Sequence, residues 1–301
     1  MTFGQGGIFG TELGVLFIQL LVNGFVAAGV YAVVAVGLNI IFGVMEVINF
    51  AQGEFMMLGM YVGYFFLKYL GIPPFLAIIP VFVIFLILGF AIDLGIMERA
   101  WKQGQTSQLI ITIGISTLMV NLMTFLFTAN FRSVFVPYAS EPVSFLGASL
   151  SVAQIIVILF SMFGLIALAL FFSRTKLGIA IRAVSQDKDV AAIAGISKKR
   201  VYMFSFGLSM ALTAAAGLTL LPLSNVYPTI GQAYLTIAFV VLVLGGMGSY
   251  TGAIAGSIVI GEVQSFSTFY LGGWSYVIVY VIFIVILVVR PNGLLGNRMR
   301  I

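Results

Sequence analysis

Asn39, Glu46, Asn49, Gln52 and Glu54 carry polar chemistry into a stretch that is otherwise apolar, GLNIIFGVMEVINFAQGEFMMLGMY (37–61). Amides both donate and accept hydrogen bonds, and carboxylates take up a proton or a cation. At membrane depth such groups cost several kcal/mol unless they face protein or a water-filled path. A glycine-punctuated apolar segment that holds them points to a discontinuous helix beside a transport route. The competing reading is a short cytoplasmic turn around Glu46–Glu54 that joins two ordinary spans, with packing as the residues' only task.

A second polar concentration lies at Arg174–Arg200, RTKLGIAIRAVSQDKDVAAIAGISKKR. Seven cations stand there against Asp187 and Asp189, giving this stretch +5, the net charge of the whole chain. Within it, Asp187 to Ala194 reads as a short amphipathic helix, with Ser185 or Asp187 as N-cap and Gly195 past the C-terminal end. Val190, Ile193 and Ile196 recur at helical spacing and form a narrow apolar ridge. The ridge suits either docking of another protein or contact with the membrane surface.

The elements that position these residues follow from composition. The chain is 61% hydrophobic and 8% charged, against about 45–50% and about 25% for a soluble domain. Charge-free runs cover Leu13–Met45, Tyr69–Ile92, Gln103–Phe131, Pro142–Ser173, Val201–Gly261 and Val263–Val289. Each exceeds the roughly 20 residues that cross a hydrocarbon core. The fold class is therefore an all-α polytopic membrane protein with about nine transmembrane helices, eight to ten, some of them broken. A β-barrel would show short alternating segments instead. A single transmembrane domain over residues 1–301 is expected, with 174–200 as a cytoplasmic loop.

The basic loops, including 98–102 and a tail with Arg290, Arg298 and Arg300, belong on the cytoplasmic face of an inner membrane, and nucleic acid is not an expected partner. Residues 14–43 look too long for one untilted span, and Gly24, Gly29, Gly37 and Gly43 predict a break there. Asp93, near the 98–102 loop, is expected to be solvated. Glu262, the only charge between Arg200 and Arg290, is expected to lie against a partner group. Residues 130–149 form the longest external loop, where Arg132, Phe135, Tyr138 and Phe145 could meet an external partner. Gly252 and Gly256 form a GxxxG suited to tight packing.

Three functional classes remain. A membrane enzyme needs gathered nucleophiles, bases or metal ligands. With neither Cys nor His in the chain, no catalytic residue and no metal site is expected. An ion-coupled transporter or channel could use Glu46, Glu54 and Glu262. A subunit driven by a separate ATPase needs only a pathway and a cytoplasmic lever. The chain carries no GxxxxGK[ST] sequence, so ATP is expected in partner subunits, and this chain needs no cofactor of its own.

Four segments then carry a resemblance. These are 37–61, RTKLGIAIRAVSQDKDVAAIAGIS (174–197), GGMGSYTGAIAGSIVIG (245–261) and RPNGLLG (290–296). In order and spacing they resemble the bacterial branched-chain amino acid ABC transporter permeases of the Liv type, in particular the shorter, LivH-like subunit. The resemblance implies a second homologous permease, two ATPase subunits and an extracytoplasmic substrate-binding protein. It places Ala183–Ile196 against the ATPase, with Arg182, Asp187, Val190, Ala191, Ala192 and Gly195 as the coupling residues. It puts Asn49, Gln52 and Glu54 near the translocation path. Gln52 stands where many relatives have histidine. Similar permeases serve urea and short amides, so the substrate stays open at this stage.

Overall fold

The computed structural model describes residues 5–145 and 147–295, with side chains from Glu12 onward and Phe145 excepted. The tail with Arg298 and Arg300 and the side chain of Phe145 lie outside the described residues. The helices are α1 (Gln5–Met45), α2 (Gln52–Leu70), α3 (Ile78–Ile92), α4 (Glu98–Gln103), α5 (Gln105–Phe127) and α6 (Val152–Arg174). They continue as α7 (Lys176–Gln186), α8 (Lys188–Ile193), α9 (Lys198–Leu220), α10 (Ile230–Gly245), α11 (Tyr250–Leu271) and α12 (Ser275–Val289). Six helical stretches are long and apolar enough to cross a membrane, the last of them holding both α11 and α12. With α2 and α10, which are less apolar or shorter, the described residues supply the expected nine or so rods.

α9 is the axis of the bundle, buried along nearly its whole length and packed on α1, α2 and α3. Its small residues make that possible: Ala214 meets Gly59, and Gly217 meets the Met56 carbonyl. Without side chains in the way, backbones approach closely enough to gain dispersion contacts that lipid does not provide. The GxxxG glycines are used in this way too, Gly252 against Gly245 and Gly256 against the Val241 carbonyl. α5, α6 and α12 present Leu118, Phe125, Phe163, Ile166 and Val288 outward. An apolar surface that extensive is one for hydrocarbon to cover.

Several expectations need correction. α1 is one unbroken helix of 41 residues, because its glycines serve contacts rather than a hinge. Gly24 accommodates Glu262, Gly29 accommodates Ser161, and Gly37 accommodates Gln52. Asp93 is not solvated: it is 0% exposed, and neither carboxylate oxygen has a hydrogen-bond partner among the described residues. The chain there forms a π-helical turn, Asp93–Met97, which carries α3 into α4 as one continuous rod packed on α9. The loop at 130–149 holds a short antiparallel hairpin, β1 (Pro142–Phe145) and β2 (Ala148–Ser151), a small exception to the all-helical reading. Glu262 packs on Gly24, but its oxygens find no hydrogen-bond partner among the described residues.

The two ends of the bundle differ. At one end the basic segments collect, through Lys188–Glu46 (3.2 Å), Lys199–Glu98 (2.7 Å) and Lys102–Glu98 (2.9 Å). The chain after α12 returns to that end, where Leu294 N–H donates to the Leu244 carbonyl (2.7 Å). At the other end Arg132 and Val226 exchange backbone hydrogen bonds (2.9 and 2.7 Å). There the Gln19 side chain holds the hairpin through Ser149 (3.0 and 2.8 Å).

Candidate functional site: two helices that begin inside the bundle

Residues 46–51 are not helical. Glu46 turns the chain with φ 58° and stays exposed beside Lys188. Asn49 accepts from the Ala51 N–H (3.0 Å), a side-chain turn that stands in for a backbone one. The segment climbs back into the bundle, so α2 starts at Gln52 beside Gly37 of α1 and beside Ser209 and Thr213, halfway along α9. α10 also starts inside. It has only 16 residues, and Gly231 in its first turn lies against Gly53 in the first turn of α2. A Cβ on either glycine would overlap the other's backbone carbonyl. Two helix N-termini, each the positive end of a helix dipole, thus meet in the interior.

The three path residues named from sequence are brought together here. Gln52, 0% exposed, donates to Ser209 Oγ (2.9 Å) and to Thr213 Oγ1, and accepts from the Asn49 amide (3.3 Å). Ser209 Oγ in turn donates to the Gly37 carbonyl (2.6 Å). The network ties α1, α2 and α9 with each group satisfied, the condition under which buried polar groups rigidify a core. Glu54, also 0% exposed, accepts from Ser116 Oγ of α5 (3.0 Å) through Oε1. Its Oε2 faces Gly231 and has no hydrogen-bond partner among the described residues. Ser116, Ser209, Thr213 and Gly231 escaped the sequence reading, since a hydroxyl or a glycine in an apolar run looks like any other small residue.

The second group lies apart, at the basic end. Asp187 caps α8, its Oδ1 accepting from the N–H groups of Asp189 and Val190 (2.9 Å each). Those donors, Val190 first, hold its carboxyl below the ordinary aspartate range. Gly195 closes the helix at φ 83°, where the Ile196 N–H returns to the Ala191 carbonyl (3.0 Å). Lys198 pairs with Asp189 (2.9 Å). Val190 is 62% and Ile193 87% exposed, and Ala192 is exposed as well, so these point away from the bundle, whereas Ile196, the third residue of the expected ridge, is half-buried against the core. Ala191, only 4% exposed, faces inward against the chain's own core. Arg182 is exposed but lines a cavity beside α1 and not the ridge.

A polytopic helical bundle with interrupted helices meeting at a closed polar layer is the architecture of a solute-transporting membrane domain. Residues 20–287 match the model of the permease component of branched-chain amino acid transport systems, and the chain belongs to that family. It is 30% identical over 297 residues to LivH of Salmonella typhimurium, a high-affinity branched-chain amino acid transport system permease protein, covering 93% of this chain and 96% of the relative. It is 28% identical over 297 residues to BraD of Pseudomonas aeruginosa, with the same coverage and the same description. A probable LivH of Methanocaldococcus jannaschii is 28% identical over 295 residues, covering 92% of each chain. No solved structure matches it significantly. The chain is a transport permease of the membrane.

Proposed function

We propose that this chain forms part of the substrate route of an ATP-driven importer for branched-chain or related amino acids. A second homologous permease completes the route, two ATPase subunits bind and hydrolyse ATP, and an extracytoplasmic binding protein delivers the substrate. The basic end faces the cytosol of a cell with this chain in its inner membrane, as expected where cationic loops stay on the side of synthesis. The observation that carries the reading is α8, a capped helix at the basic end whose Val190 and Ile193 remain outside the bundle with no cover from the described residues. Exposed apolar anchors ringed by charge are what a docking partner desolvates.

ATP-driven movement of the docked subunits shifts α8 and α7, and through α1 and α9 opens the layer at Gly53 and Gly231. An α-amino acid has two charges for that layer. Its ammonium suits the unpartnered oxygen of Glu54, and its carboxylate suits the positive first turns of α2 and α10. Urea and short amides lack both charges, which favours the amino acid. Gln52 holds the layer closed by tying α2 to α9.

The test reads uptake and ATP hydrolysis together in reconstituted complexes. Asp187→Arg places a cation at a helix start and removes the cap. We expect it to leave hydrolysis running while uptake falls by about tenfold or more, since a cap and an interface contact each contribute on the order of 1 kcal/mol. Uptake that stays coupled to hydrolysis in this variant would refute the role of α8.

A further inference from the structure

One seam of the bundle, between α1, α6 and α11, holds two cavities in line. The first, about 570 Å³, is lined by apolar side chains, among them Phe25, Met162, Leu165 and Ile258, together with Ser161. The second, about 480 Å³, continues the seam toward the basic end, lined by Asn39, Ser173, Arg182, Ser185 and Gln186. The Tyr250 hydroxyl, bonded to the Leu165 carbonyl, marks the boundary between them.

The chemistry of the second cavity selects an anion. Among the described residues Arg182 is its only charged lining residue, and it forms none of their ion pairs. Asn39, 6% exposed, commits its oxygen to the Gly248 N–H (2.8 Å), and its NH2 bonds to none of the described residues. The first turn of α11, a helix of 22 residues, adds the positive end of its dipole at Tyr250. The first cavity selects a hydrocarbon chain. It opens beside α6, whose Met162, Phe163 and Ile166 are turned outward to the bilayer. Ser161 Oγ, buried in its wall, has no hydrogen-bond partner among the described residues.

We propose that this seam binds an anionic diacyl phospholipid. Its phosphate sits against Arg182 and Asn39, and an acyl chain runs along the groove past Leu165 and Met162. The bound lipid would bridge α1, α6, α7 and α11, and so join the loop that carries α8 to the composition of the surrounding leaflet, which is anionic on the side where basic segments collect.

The permease, purified in mild detergent with its co-purifying subunits, is mixed with phosphatidylglycerol or phosphatidylcholine of matched chains and read by native mass spectrometry. Preferential retention of phosphatidylglycerol is expected. Arg182→Ala should weaken that retention about fivefold, the effect of removing one cation near the headgroup. Met162→Trp, an exposed position on the groove, should weaken retention of both lipids without disturbing the fold. Equal retention of the two lipids by the unaltered protein, or phosphatidylglycerol retention unchanged in both variants, overturns the proposal. Displacement of the bound lipid by inorganic phosphate alone also overturns it, because the site would then recognise an anion and not a lipid.

Discussion

The layer at Gly53 and Gly231 and the loop at α7–α8 invert each other. The first buries amides, hydroxyls and a carboxylate in the middle of an apolar bundle. The second leaves valine and isoleucine outside, among charges. Both arrangements are unfavourable taken alone, and they are relieved in different ways. In the interior, Gln52, Asn49, Ser209 and Thr213 satisfy one another, so the cost of burying the amides and hydroxyls is met within the chain, and only Glu54 Oε2 of the layer lacks a partner among the described residues. At the basic end none of the described residues covers Ile193, which leaves it open to another molecule. The buried layer is therefore read through folding and transport, and the ridge through assembly.

The largest effect that would sharpen this contrast is expected at the glycine contact. Gly231→Val drives a branched side chain into the Gly53 carbonyl and the Glu54 carboxylate, and should destabilise the protein by about 3 kcal/mol or more, as overpacking of a filled core does. Loss of folded permease from detergent extracts, followed by thermal unfolding, measures it. Next comes Glu54→Gln, which keeps the shape and the acceptor for Ser116. It should leave thermal stability near that of the parent and lower uptake about tenfold, the weight of one charge-assisted hydrogen bond to substrate. If amino acid uptake is unaffected, the pairing of Glu54 with an ammonium is wrong.

On the other side of the comparison, Ile193→Ala should change the permease's own stability by less than about 0.5 kcal/mol, as exposed positions do. It should weaken capture of the ATPase subunits by about 1–2 kcal/mol, as truncation of an interface anchor does, read by co-purification at graded detergent concentrations. The smallest effect is a pH dependence at Asp187. Its folded carboxyl titrates below the unfolded one. Its capping contribution is therefore complete above the ordinary aspartate value, about 3.9, and is lost as pH falls through the lower folded value. Protection of the Asp189 and Val190 amides, read as hydrogen exchange relative to the intrinsic rate at each pH, should fall only under such acid conditions.

Much of this contrast is legible in the sequence. Charge-free runs give the class, and the cation-rich stretch with its cap, ridge and Gly195 gives α8 almost residue for residue, because capping and periodicity are local. Glycines in α1 mislead, since nothing local separates a glycine that breaks a helix from one that admits a neighbour such as Glu262. The interior start of α10 is equally hidden. It depends on Gly231 meeting Gly53, a contact between distant parts of the chain that no local pattern announces. Asp93 is misread because the nearby charges at 98–102 suggest a solvated end, whereas it continues the i, i+4 row Val81, Phe85 and Gly89 that α3 packs on α9.

α1 has a further consequence. From Glu12 to Met45 it is an uninterrupted run of 34 residues, roughly 50 Å long. Near one tip Gly43 lies beside Ser185 of α7, and near the other Gln19 grips the hairpin through Ser149. A rod without a joint cannot absorb a push along its length. A displacement at Gly43 is therefore passed along α1 to the hairpin at Ser149, so that the two ends of the bundle are joined mechanically by a single helix.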